Sequence, residues 1–175
     1  MGSLVLTGDT SGSVTVAVPA VAGTNTATFP AATGTVMVSG NMPAFSAYQS
    51  SAQTTTAATY TKVQFQTEEF DTNNNFDSTT NYRFTPTVAG YYQLTGGING
   101  SGQTTAFQVV LYKNGSAFKF FANTTAVDAG IYGTALVYAN GSTDYFELYA
   151  YSGTASTLTA ANTLTYFQGA MVRTS

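Results

Sequence analysis

The 175-residue chain contains no histidine and no cysteine. Without imidazole or thiol it has no Ser-His-Asp or Cys-His nucleophile, no imidazole general base and none of the usual zinc ligand sets. Without cysteine pairs no disulfide staples the fold, so burial alone must hold it; the lack also fits synthesis in a reducing cytoplasm. Charge is scarce: Lys+Arg 5 and Asp+Glu 8 make up 7% of the chain, against about 25% in a typical soluble domain. The basic residues Lys62, Arg83, Lys113, Lys119 and Arg173 stand singly. No basic stripe follows from them, and no nucleic-acid partner is expected. No apolar run is long enough to span a membrane, so no membrane partner is expected. The opening MGSLVLTGDTSGS lacks the cationic region, apolar run and cleavage site of a secretory signal.

What is present favours strands. Hydrophobic residues are 43%, aromatics 14%, and there are 32 threonines. Thr, Val, Tyr and Phe all suit a pleated, half-buried surface, which points to an all-β fold. A chain so poor in charge needs another reason to stay soluble, and coverage of its surface by other subunits supplies one. Four Asn-x-Ser/Thr sites occur, at Asn99, Asn114, Asn123 and Asn140; three are Asn-Gly pairs. Asn-Gly is a strong hairpin signal, so these are read as turns.

Two regions are expected, residues 1–42 and 43–175. The first has a single charge before Met42, Asp9. Alternating Val14, Val16 and Val18, then Thr26 to Phe29, then Val36 to Val38, predict three or four short strands joined by Pro/Gly turns. Pro19-Ala20-Val21-Ala22-Gly23-Thr24 is echoed by Pro30-Ala31-Ala32-Thr33-Gly34-Thr35, but one echo does not make a repeat fold. So little apolar bulk cannot form a core alone. The segment is therefore read as an arm that pairs with its own copies or docks on another protein through Val14, Val16, Val18, Phe29, Val36 and Val38. A disordered tail is the competing reading.

From Met42 the pattern is denser. A strand at 45–48 and a polar loop at 49–59 precede strands at 62–70, 82–87, 90–98, 106–113, 116–122, 129–139, 144–151 and 162–172. Short strands at this spacing, with no amphipathic helix, give a sandwich or barrel. Along Asp144 to Tyr151, Phe146, Leu148 and Ala150 fall on one face and Tyr145, Glu147, Tyr149 and Tyr151 on the other. Phe107, Val109 and Leu111 likewise oppose Val110 and Tyr112. A sandwich needs only one buried face per sheet, so an aromatic second face implies a partner. Tyr112, Tyr145, Glu147, Tyr149 and Tyr151 are the expected subunit contacts. Scattered surface tyrosines are the alternative.

Asp71, Asn73, Asn75 and Asp77 alternate as at the start of a calcium loop. An EF-hand loop needs Gly at its sixth position and Glu at its twelfth. Here those are Phe76 and Tyr82, so neither a metal site nor any other cofactor is expected; a looser cluster of Glu68, Glu69, Asp71 and Asp77 could still attract a cation at a subunit junction. The same stretch matches another pattern. PAFSA at 43–47, Val63 and Phe65, Asn74 or Asn75, then Phe84, Pro86 and Gly90-Tyr91-Tyr92, resemble the C1q/tumour-necrosis-factor-like domain. The likeness continues through Leu111-Tyr112-Lys113-Asn114-Gly115 and the closing Tyr166-Phe167-Gln168-Gly169-Ala170, with Leu94 and Gln168 departing from the pattern. It covers about residues 43–173. The resemblance implies a ten-stranded jelly-roll sandwich that forms homotrimers, packs aromatic faces around a threefold axis, and binds or scaffolds without catalysis.

The arm sequence GSVTVAVPAVAGTNTATFPAATGTVMVSG is similar to segments at the front of bacteriophage head and tail structural proteins. Together the two resemblances imply a virion location. The first reading is a trimeric capsid decoration (cement) protein, held on the major capsid protein or another virion protein by its arm. A tail-fibre or tail-appendage tip whose loops bind a host surface glycan is the alternative. An extracellular C1q-like ligand fits less well without cysteines or a collagen stalk. A glycan hydrolase would need two carboxylates across a cleft; Glu69 and Asp71 are the nearest pair and read as solvated turn residues, so no enzyme activity is expected.

Overall fold

The computed structural model describes residues 3–29, 31–34 and 36–175. The chain divides into two compact units, Met1–Gly34 and Thr35–Ser175. The break falls before the composition boundary at 42, because Met37 already packs against the core of the second unit.

The first unit contains one antiparallel hairpin, β1 (Ser3–Thr7) and β2 (Ser13–Ala17). The turn is closed by the Gly8 N–H donating to the Gly12 carbonyl, with Gly12 at φ 77°. Val14 and Val16 lie on β2, as the alternation predicts, while β1 was not expected. The runs at 26–29 and 36–38 form no strand, having no partner ladder among the described residues. All six expected docking residues are exposed; Val36 and Val38 belong to the second unit.

The second unit is a two-sheet sandwich. Its strands are β3 (Ala44–Tyr48), β4 (Gln53–Thr55), β5 (Thr59–Lys62), β6 (Thr67–Asp71), β7 (Phe76–Asp77), β8 (Arg83–Phe84), β9 (Gly90–Ser101), β10 (Phe107–Lys113), β11 (Ser116–Thr124), β12 (Gly130–Ala139), β13 (Phe146–Ser152), β14 (Ser156–Leu158) and β15 (Tyr166–Thr174). One sheet has the order β11-β10-β13-β8-β7. The other runs β4-β14-β9-β15-β3-β6, with β12 paired along the length of β9. Every pairing in both sheets is antiparallel. The all-β sandwich expected from the sequence is the observed fold, with short accessory strands beyond ten.

Three local expectations are corrected. The single strand at 62–70 is two strands, β5 and β6. Between them Val63 and Phe65 are buried as the chain crosses from one sheet to the other, and the Val63 N–H donates to the Leu148 carbonyl at 2.9 Å. The strand at 82–87 shortens to Arg83–Phe84, because Pro86 has no N–H to continue a ladder. Among the Asn-Gly pairs, Asn114-Gly115 does make the β10–β11 hairpin turn, with φ 53° and 77° as a type I′ turn requires. Asn99-Gly100 does not turn; it lies inside β9, where Asn99 pairs with Gly130.

The core is aromatic. Phe45 stacks on Phe84 with centroids 4.3 Å apart and on Phe76 at 5.0 Å, and meets Phe167 edge-on at 5.1 Å. Phe65, Phe107 and Phe146 are also fully buried. Each such ring contributes about 1.5–3 kcal/mol of transfer free energy, which is how a chain without disulfides holds its shape. The Tyr92 hydroxyl donates to the Val88 carbonyl at 2.7 Å, fixing the corner before β9. At the same end Lys113 donates to Asp144 (2.8 Å) and to the Tyr138 carbonyl (2.9 Å). Asp144 also accepts from Asn114 and from the Asn140 N–H, tying two turns together.

Candidate functional site

The register of β10 against β13 sets Gln108 opposite Tyr151, Val110 opposite Tyr149 and Tyr112 opposite Glu147. The outward face of this sheet therefore carries the expected tyrosine row. Tyr112 stacks on Tyr149 with centroids 3.9 Å apart. Tyr60 of β5 covers the row from outside, 5.1 Å from Tyr151 and 6.1 Å from Tyr112, and its hydroxyl donates to Gln108 at 2.9 Å. Tyr145 sits at the end of the row, with the Arg83 guanidinium 4.3 Å from its ring centre. Partial burial pushes the Tyr112 hydroxyl pKa up, aided by Tyr60 and Tyr149. Tyr149 rises for the same reason, with Glu147 and Tyr145 adding to it.

Glu147 departs from the expectation. It is 2% exposed and its carboxylate is ion-paired to Lys62 of β5. A carboxylate already neutralised and covered inside its own chain cannot contact a neighbouring subunit. Tyr112, Tyr145, Tyr149 and Tyr151 remain half-buried on the surface. Sequence periodicity placed Glu147 on the correct face, but gave no sign that residues 59–62 run beside β13, hydrogen-bonded to it through Ala58 and Val63, and bring Lys62 to the carboxylate.

The sequence reading missed a second aromatic surface, on the outward face of the other sheet. There β12 presents Tyr132, Leu136 and Tyr138, β9 presents Tyr91, and β15 presents Tyr166 and Val172. Tyr132 stacks on Tyr166 at 5.8 Å, Tyr91 lies 5.5 Å from Tyr138, and Arg173 covers Tyr91 at 5.2 Å. Leu136 is 61% exposed. Burial pushes the Tyr132 hydroxyl pKa up, with Tyr166 adding to it. Beside this row a groove of about 320 Å³ is floored by Gln93, Thr95, Gln168 and Ala170 and walled by Phe70. Two adjacent glycines in β9 make the arrangement possible. A side chain at Gly96 would collide with Leu148 in the core, and one at Gly97 would collide with the Tyr132 ring. The signal was available: GIYGTALVYA at 130–139 is apolar on both alternations.

The loop that opens like a calcium site uses its carboxylates to cap its own backbone. Asp71 accepts from the N–H groups of Asn73 and Phe76. Asp77 accepts from the N–H groups of Thr79, Thr80 and Asn81 and from the Asn81 amide. The Thr80 N–H is the strongest influence holding the Asp77 carboxyl well below the usual carboxylate range; burial opposes it, and Thr79 and Asn81 reinforce it. Glu68 accepts from Ser78, and Glu69 from Ser46 and Asn162. Each member of the acidic cluster thus has a partner within the chain.

No protein-family model and no curated protein matches the sequence. Solved structures do match the fold. Murine APRIL in its crystal structure at pH 8.0 superposes with a TM-score of 0.61 at 10% identity, over 75% of this chain and 99% of that one. Eiger TNF from S. frugiperda gives 0.57 at 8% identity over 77% and 93%. The globular domain of zebrafish complement 1qA protein gives 0.56 at 18% identity over 76% and 99%. At these identities the likeness establishes the fold: the chain is a tumour-necrosis-factor/C1q-type jelly roll.

Proposed function

We propose that this chain is a non-enzymatic virion structural protein: a homotrimeric capsid decoration protein whose residues 1–42 dock on the major capsid protein or another virion protein. The observation that carries the self-association is the second aromatic flank, the open face of Tyr91, Tyr132, Leu136, Tyr138 and Val172. An apolar surface of this extent, almost free of charge, is what a subunit interface requires and what a solitary soluble domain avoids. The row of Tyr112, Tyr145, Tyr149 and Tyr151 is a second contact surface of the same kind. The jelly-roll fold and the arm's resemblance to phage structural proteins support the assignment. Three arms on one particle gain avidity without any single strong contact.

Light scattering of the whole chain tests the assembly, with a trimer mass expected and a lower mass for Leu136→Asp. A monomer at high concentration would overturn it. Particle co-sedimentation tests the arm: deletion of residues 1–40 is expected to leave a folded trimer that no longer binds. Retained binding would remove the arm as anchor.

A further inference from the structure

The β1–β2 register pairs Leu4 with Val16 and Leu6 with Val14. These four side chains form one continuous aliphatic strip, and each is more than half exposed, from Val16 at 52% to Val14 at 66%. The opposite face carries Ser3, Thr7, Ser13, Thr15 and Ala17, with Val5 as its one large apolar residue. The hairpin is therefore amphipathic with period two, although among the described residues of its unit none buries the apolar side. A two-stranded ribbon is marginal in water and needs another layer on its apolar face. Neither strand carries a charge, and Asp9 sits in the turn. The covering layer must be apolar and uncharged.

We propose that the cover is the same strip of sister copies: the three hairpins of one trimer turn their apolar faces toward one another and pack through Leu4, Leu6, Val14 and Val16. This rests on the self-association proposed above and adds to it a second, separate contact. Copies held together by the jelly-roll domains keep one another's hairpins at millimolar effective concentration, above that of any free partner. Residues 18–34 between hairpin and domain span up to about 55 Å when extended, so the strips can meet. In a trimer the three identical strips converge on the threefold axis, each meeting the other two, so that no apolar face is left over. Val14 and Val16 then face inward, and Val18, Phe29, Val36 and Val38 are left to meet the particle.

The absence of cysteine makes the test clean, because a single introduced thiol can cross-link only between copies. In the full chain, Leu4→Cys and Val16→Cys are expected to give covalent dimers with a short bismaleimide, whereas Val5→Cys and Thr15→Cys give at least tenfold less. Leu6→Asp with Val14→Asp is expected to make residues 1–34 sensitive to brief proteolysis while the second unit stays intact. Light scattering of each variant separates the two claims. A trimer mass with no face preference in cross-linking overturns the strip contact and leaves the trimer standing. A monomer mass overturns both. Thiols on the strip that react freely with maleimide in the isolated oligomer and become protected only on particles would assign the strip to the shell protein, and would likewise overturn the proposal.

Discussion

Lys62→Met isolates the ion pair under the tyrosine row. Glu147 has 3% of its side chain exposed, and Lys62 is its ion-pair partner. Removing one member of a buried pair costs about 3–5 kcal/mol, because the remaining charge is left in low dielectric. The Lys62 side chain is about a third exposed, so water screens the pair and about 2–3 kcal/mol is the working figure. For a chain of this size that is a fall of about 5–10 °C in Tm. The cost should be lopsided. Glu147→Gln leaves an ammonium that can swing toward solvent, and should lose only about 1 kcal/mol. The double variant Lys62→Met with Glu147→Leu removes both charges and should return to within about 1 kcal/mol of the parent. Urea denaturation of all four proteins at equal protomer concentration gives the comparison, since self-association would make stability concentration-dependent. If Lys62→Met alone changed stability by less than about 0.5 kcal/mol, Glu147 would not depend on β5, and the reasoning would be refuted.

Three further outcomes are expected. Tyr149→Glu places a second carboxylate beside Glu147, whose only counter-charge is already taken, and should weaken trimerisation with strand content unchanged; an unaltered trimer on gel filtration would remove Tyr149 from the contact surface. Gly97→Val should push Tyr132 off Tyr166 at an overpacking cost of about 1–3 kcal/mol, lowering the near-ultraviolet tyrosine dichroism and raising the dissociation concentration in sedimentation; an unchanged aromatic signal would contradict the close approach. Asp77 and Asp144 both have carboxyl pKa values below the usual range: in Asp144 burial pushes up, but Lys113, Asn114 and Asn140 outweigh it. The unfolded chain therefore binds more protons than the folded one below the ordinary carboxylate pKa of about 4. Stability from these groups is complete above that pH and is lost as pH falls toward the depressed values, so the urea midpoint should hold from pH 7 to 5 and drop by pH 3. A midpoint equal at pH 5 and 3 would show the caps to be energetically silent.

The sheets were legible wherever period-two alternation ran for six residues or more, as in β9, β10, β12 and β13. Their inward sets, such as Phe107, Val109 and Leu111, are the buried ones. What could not be read depends on distant partners. The crossing at Val63 and Phe65 looks like ordinary strand, because both residues are buried and spaced by two. Asn99-Gly100 has turn chemistry, yet pairing with Gly130 holds it extended. Short β4 and β14 exist because Gln53 to Thr55 meet Ser156 to Leu158 across a hundred residues, a match no local pattern encodes. Likewise the tyrosine row was visible from alternation, whereas the strand running beside it was not.

Strand β3 lies in its sheet between β6 and β15, and β15 is also the neighbour of β9. During translation β3 emerges first of the three central strands and waits for β15, some 120 positions later. Until then one side of Ala44–Tyr48 has unmatched peptide groups, and Phe45 lacks Phe167 against it. Such long-range closure is slow and leaves nascent chains adhesive. A ribosome-bound product halted before residue 166 should therefore recruit chaperones, and release from them should coincide with the emergence of β15 from the exit tunnel.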